Sequence, residues 1–345
     1  MKPAMDPGLL QPAAAPVDTL GRRLRDLRVS VIETCNYRCP YCMPEDSTPP
    51  ENALDRARRL DFRQIESVVR GFVRLGVSKV RLTGGEPLLR KNLPLLVARL
   101  AAISGVEDLA LTTNGSLLAG KASALRDAGL HRLTISLDAL DPQIFRHLSG
   151  GRGDVADVLA GVAAAEAAGF GSIKFNTVVQ RGVNEGEVLR LVERFRGTPH
   201  VLRFIEFMDV GTCNGWRPQA VVPSRELHQR IHARWPLRPL QPGYRGEVAA
   251  RHAFVDGQGE VGFVSSVSAP FCGDCQRARL SADGQAFTCL FAAKGSDLRP
   301  AIGAGDSAIE ARIAEIWRGR ADRYSELREA GRRDSKKIEM FFIGG

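Results

Sequence analysis

Short runs of apolar, often β-branched residues recur at Leu27–Ile32, Val80–Thr83, Asp108–Thr112, Arg132–Leu137, Ile173–Val179 and Val201–Phe207. Helix-length amphipathic stretches lie among them, at Phe62–Leu75, Leu117–Ala128, Val155–Ala168 and Asn184–Phe195. The first follows Asp61, with Gln64 three residues on, which is the pattern of a capping box. Strand–helix alternation at this spacing predicts parallel strands joined by right-handed crossovers. Six units are fewer than the eight of a closed barrel, so the pattern predicts an α/β fold, an open (βα)6 partial TIM barrel. From about Pro218 the alternation gives way to Pro, Gly and short strand-like pieces. Three regions are expected: a flexible tail over 1–20, the barrel over 21–217, and a smaller C-terminal domain over 218–345.

Composition narrows the function only a little. With 345 residues, 44% hydrophobic and 25% charged, the chain reads as globular. The apolar stretch Val158–Phe170 is too short for a bilayer and is interrupted by Glu166. A net charge of +9 fits either solvated arginine faces or an anionic ligand. Aromatic residues at 6% offer little stacking surface, which argues against a nucleic-acid partner. The first twenty residues lack a continuous apolar signal core, so free cysteines place the protein in the cytoplasm.

The cysteines carry the chemistry. Six of the seven form two triads, Cys35/Cys39/Cys42 and Cys272/Cys275/Cys289. Odd-numbered sets are not a disulfide pattern. Three thiolates supply all but one ligand of a cubic iron–sulfur cluster, leaving the fourth iron for another molecule. Zinc is the alternative at each triad but wants a fourth protein ligand; Cys213 is a candidate for the second. Gly84-Gly85-Glu86-Pro87 is either a turn or a place where backbone approaches a ligand closely. The polar motifs all follow strands: the first triad, the Gly-Gly-Glu-Pro segment, Thr112-Thr113-Asn114-Gly115, Ser136-Leu137-Asp138, and Glu206 with Met208. Lys174 and Asn176 lie within the fifth run. Barrel sites form at the carboxyl ends of strands, so these motifs are expected on one face. Arg277 and Arg279, two apart on a strand, share a face, and two guanidinium groups beside an open iron site suit a ligand with phosphates.

The segment from Arg28 through Cys35-Asn-Tyr-Arg-Cys39-Pro-Tyr-Cys42-Met-Pro resembles the CxxxCxxC signature of radical S-adenosylmethionine enzymes. Phe271-Cys272-Gly-Asp-Cys275-Gln-Arg277-Ala-Arg279-Leu, followed by Cys289, resembles the MoaA family of GTP 3′,8-cyclases, and the likeness runs from about Leu20 to Gly345. The resemblance implies two [4Fe-4S] clusters, held by Cys35, Cys39 and Cys42 and by Cys272, Cys275 and Cys289. It implies that Tyr41, Gly85, Asn114, Ser136 and Met208 contact S-adenosylmethionine, and that Arg28, Arg81, Thr112, Lys174, Arg277 and Arg279 hold GTP. The terminal Gly344-Gly345, behind the apolar Met340–Ile343, would enter the active site. The implied reaction begins with a 5′-deoxyadenosyl radical taking the 3′ hydrogen of GTP. Closure on C8 of guanine gives 3′,8-cyclo-7,8-dihydro-GTP, the first step of molybdenum cofactor biosynthesis. An external one-electron reductant and hand-off to a cyclic pyranopterin monophosphate synthase are implied partners, with the chain a monomer or homodimer.

Glu33-Thr34 departs from the family's acidic–basic pair, and Gln276 replaces a common Asn; both bear on affinity rather than on reaction type. Rival readings are a radical enzyme that modifies peptides and a zinc protein that binds nucleic acid. Gly115–Lys121 fits GxxxxGK, but Ala122 stands where a phosphate loop needs a hydroxyl, and Leu117 and Leu118 read as helix core. His228 and His232, four apart, are expected on a solvated face.

Overall fold

The computed structural model describes residues 15–45, 58–328 and 337–344. Twelve strands form one sheet: β1 (Asp26–Ser30), β2 (Lys79–Thr83), β3 (Asp108–Thr113), β4 (Arg132–Ser136), β5 (Lys174–Val179), β6 (Val201–Glu206), β7 (Leu237–Pro239), β8 (Ala250–Phe254), β9 (Glu260–Val264), β10 (Arg277–Leu280), β11 (Gln285–Phe287) and β12 (Ser296–Asp297). Their order is β12-β11-β10-β1-β2-β3-β4-β5-β6-β9-β8-β7, and among the described residues the outer edges of β12 and β7 pair with no further strand, so the barrel is open. The six expected strands lie side by side and parallel. Strands after Pro218 extend the same sheet: β10 joins β1 in parallel, and β9 joins β6.

Each central strand alternates. Leu27 and Val29, Leu133 and Ile135, and Leu202 and Phe204 are buried in the hydrophobic core, while Arg28, Lys174 and Arg203 face the barrel interior. The helix Phe62–Arg74 carries the expected capping box, with Asp61 and Gln64 bonded reciprocally. Helix Asp306–Arg318 packs on it so tightly that a side chain at Gly71 would meet Ile309 at 2.8 Å.

Two helices begin later than the periodicity predicts. Residues 116–121 form turns and the helix runs Ala122–Asp127, so Leu117 and Leu118 precede it. Lys121 is exposed, and the GxxxxGK match is no phosphate loop. The helix Glu187–Phe195 starts after Asn184, whose amide is spent on the carbonyls of Asp138 and Val178. His228 is half-buried against His252, at 4.7 Å between rings, rather than solvated.

Residues 1–14 of the expected tail lie outside the described residues, but order begins earlier than Gly21. Asp18 is 5% exposed and pairs with Arg22 and Arg320. A short carboxylate that pairs with two guanidinium groups fixes the chain there, which proline content alone could not reveal.

Candidate active site

The Gly-Gly-Glu-Pro segment is the first support of the site. Gly85 N–H donates to the Ile32 carbonyl at 2.7 Å and Glu86 N–H to that of Thr34 at 2.9 Å. A Cβ on Gly84 or Gly85 would run into the carbonyl oxygens of Ile32 or Thr34. The glycines are therefore required by the backbone leading into Cys35 rather than by a ligand alone. Glu86 is buried and accepts bonds from Leu88 N, Thr113 Oγ1 and Asn114 N. Burial outweighs those bonds and raises its carboxyl to about 7. Glu86 thus joins the second and third polar motifs into one rim.

Around this rim the structure brings together Cys35, Cys39, Cys42, Tyr41, Gly85, Asn114, Ser136 and Met208 on the wall of one cavity. Tyr41 donates to Asp138 at 2.5 Å, and Asn114 to Asn36 at 2.9 Å. Burial pushes the Cys35 thiol up to about 11 and Cys42 well above its ordinary value. Burial thus disfavours the thiolates, so a metal held here would itself have to supply the charge that ionises them. Among the described residues no three His, Cys, Asp or Glu side chains are arranged to hold a single metal ion; a cubic cluster takes each cysteine on a separate iron.

The second triad reaches the same cavity from the other end. Cys272 and Cys275 directly precede β10, and Arg277 is level with Asp26 at the start of β1. Cys35 follows the end of β1, so the body of that strand, about 15 Å at some 3.3 Å per residue, separates the two sets. Arg22 and Arg320, both held by Asp18, donate to the carbonyls of Cys272 and Cys275 at 2.7 Å. Burial opposes ionisation of Cys275, but Arg277 and Arg320 bring its thiol down to about 6. Sequence reasoning missed this Asp18 network, because Arg22 and Asp18 reach Cys272 and Arg320 across 250 and 302 residues.

Between the triads the cavity is cationic. Arg279 lies level with Arg28, and Arg28 with Arg81; Arg81 donates to Thr112 at 3.0 Å and Thr134 at 2.8 Å. Lys174 and Arg203 come from β5 and β6. Burial, then Arg279, Arg277 and Arg81, lowers Arg28 well below its ordinary value. Burial and neighbouring cations lower Arg203 and Arg279 to about 9 and Lys174 to about 7. Arg203 Nε, Arg277 Nε and Asn176 Oδ1 are enclosed without a protein partner. Crowded cations and the unpaired Nε–H groups of Arg203 and Arg277 make a receptor for a polyanion, while Asn176 Oδ1 is left to accept from a ligand donor. Arg203 was absent from the expected site residues, though the alternation that sets Arg277 and Arg279 on one face also turns Arg203 inward.

Comparison with known proteins agrees with this geometry. Residues 29–195 match the model of the Radical SAM superfamily and residues 200–326 that of Molybdenum Cofactor Synthesis C. A GTP 3′,8-cyclase of Xanthomonas campestris pv. campestris is 65% identical over 334 residues, covering 96% of this chain and 98% of its own. One of Acidothermus cellulolyticus is 49% identical over 356 residues, covering 95% and 98%. The chain belongs to the GTP 3′,8-cyclase family. Membership of the radical SAM superfamily implies a [4Fe-4S] cluster and S-adenosylmethionine. Streptococcus suis SuiB bound to S-adenosylmethionine shares the fold, with a TM-score of 0.60 at 14% identity, over 90% of this chain and 69% of that one.

Three further side chains singled out in the sequence are placed by the structure. Glu33 is buried and ion-paired with Arg59, so its departure is absorbed by a local partner. The Gln276 side chain lies beside Gly246. Cys213 is not near the second triad: it lies by Cys42 and donates to Glu339 at 2.9 Å. The C-terminal segment does enter the cavity. Met340 and Phe341 line it, Gly344 has a φ of 70°, and Arg279 donates to the Gly344 carbonyl. Gly345 lies outside the described residues. Among the described residues no helix is long and apolar enough to cross a membrane.

Proposed function

We propose that this chain is a GTP 3′,8-cyclase, converting GTP to 3′,8-cyclo-7,8-dihydro-GTP as the first step of molybdenum cofactor biosynthesis. The observation that carries this reading is one cavity with a cysteine triad at each end and, between them, crowded arginines of which Arg203 and Arg277 keep an unpaired Nε–H. Cys35, Cys39 and Cys42 would hold one [4Fe-4S] cluster, and Cys272, Cys275 and Cys289 a second. Together with S-adenosylmethionine, the first cluster supplies one-electron chemistry at the ribose. Tyr41, Gly85, Asn114, Ser136 and Met208 would seat S-adenosylmethionine. Arg28, Arg81, Thr112, Lys174, Arg277 and Arg279, with Arg203, would hold the nucleotide between the triads. Gly344 and Gly345 would complete the chamber, excluding water from the reacting carbon atoms. On this reading residues 21–217 carry the first site and 218–345 the second. An external one-electron reductant, in a reducing compartment, and a downstream synthase that takes the product complete the proposed partners.

Anaerobic incubation with GTP, S-adenosylmethionine and dithionite should yield the cyclised nucleotide and 5′-deoxyadenosine in step. Deoxyadenosine without cyclised nucleotide would reject the assignment.

A pH effect follows from Lys174. Near its value of about 7 the amine is part-protonated, and a bound triphosphate favours the charged form. Binding should therefore take up a proton, and affinity should fall as pH rises above 7. Calorimetry in buffers of different ionisation heat measures that uptake. Lys174→Met should lose it and weaken binding by about 1.5–3 kcal/mol, the worth of one charge-assisted contact.

A further inference from the structure

The C-terminal segment does not simply lie in the cavity; it is bolted to the loop that follows β6. Glu339, just before the terminal helical turn Met340–Ile343, accepts bonds on one carboxylate oxygen from Thr212 N at 2.9 Å and Thr212 Oγ1 at 2.6 Å. Its other oxygen takes the Cys213 thiol. A side chain on Gly211 would collide with the Glu339 carboxylate, so the loop is shaped around it. Two residues earlier, Lys337 donates to the Asp209 carbonyl at 2.7 Å and to its carboxylate at 2.9 Å. Burial opposes ionisation of Asp209, but bonds from Tyr324 and Lys337, with Arg328 nearby, hold its carboxyl below the usual carboxylate range. The same loop carries Met208, on the cavity wall.

We propose that Glu339, Thr212 and Asp209 are positioning residues: together with Lys337 they form a two-point clamp that sets how far the tail, through Gly344, reaches along the cavity. Two observations show that depth is confined. A side chain on Gly344 would run into Thr83 Oγ1, and the Gly344 carbonyl meets Arg279, one of the proposed nucleotide-binding cations. A slip of the tail by one residue would remove that carbonyl and free the Arg279 guanidinium. Because Met208 and the clamp share one loop, the tail's depth is referenced to the wall of the S-adenosylmethionine pocket. This inference rests on the reading that the tail serves GTP cyclisation.

The test uses the full chain with reconstituted clusters and the variants Glu339→Ala, Glu339→Gln and Thr212→Val. Hydrogen exchange of the peptide covering 340–345 is the readout independent of activity. Glu339→Ala should speed it about ten-fold, as expected when a local anchor worth one charge-assisted contact is lost. Exchange in β1–β6 should stay at the parent rate, and Glu339→Gln, which keeps the acceptor for Thr212, should recover most of the protection. The ratio of 5′-deoxyadenosine to cyclised nucleotide should rise in the same order, with iron content unchanged. Unchanged tail exchange in Glu339→Ala overturns the clamp. Faster exchange with an unchanged product ratio overturns its positioning role. If Glu339→Ala fails to fold, Thr212→Val carries both readouts. A parent chain that makes no cyclised nucleotide would sink the functional reading, while the exchange data would still decide whether the clamp holds the tail.

Discussion

Cys272→Ser is expected to separate the two halves of the reaction. Iron should fall from about eight to about four per chain, S-adenosylmethionine should still be cleaved, and cyclised nucleotide should disappear. The reason is placement. Cys272 sits at the amino end of β10, across the length of β1 from Cys35, so its loss leaves the first triad and its rim intact. What is lost is the far anchor of the nucleotide, and with it the alignment of the ribose. The pairs Arg22–Cys272 and Arg320–Cys275 contact carbonyls, not thiols, so the loop should keep its course in the variant. Iron analysis, deoxyadenosine and cyclised product measured on one preparation check this. Normal cyclisation by the variant, or zinc in place of iron at the second triad of protein made anaerobically, would refute two clusters.

Gly85→Ala should be equally severe by a different route. The added methyl would lie against the Thr34 carbonyl, on the irregular stretch after β1 that delivers Cys35. Relief requires moving that backbone, at a cost of about 1–3 kcal/mol for overpacking, and the two hydrogen bonds from Gly85 and Glu86 move with it. We expect loss of about half the iron, loss of S-adenosylmethionine cleavage and retention of the iron held by the second triad. Gly120→Ala, at a glycine with nothing within 4 Å of its would-be Cβ, should behave as the parent chain. If Gly85→Ala keeps the first cluster and merely weakens S-adenosylmethionine binding, the segment acts on the ligand and not on the loop.

The sequence by itself determined the local elements, because hydrophobic period is a local property. The parallel strand bodies, the Asp61–Gln64 cap and the shared face of Arg277 and Arg279 were all legible, as were both triads. Periodicity states which face a side chain occupies but not which strand lies beside it. Only the tertiary structure decided that β10 pairs with β1 and β9 with β6, which extends the barrel sheet and sets the triads at opposite ends of one cavity. Only it decided that Gly84 and Gly85 yield to the backbone before Cys35, and that Asp18 braces the loop of Cys272 through Arg22 and Arg320. Likewise, only it decided that Cys213, weighed as a fourth zinc ligand at the second triad, belongs beside Cys42 and Glu339. Each of these contacts joins residues far apart in the chain, where energy depends on packing and register rather than on the neighbours a sequence displays.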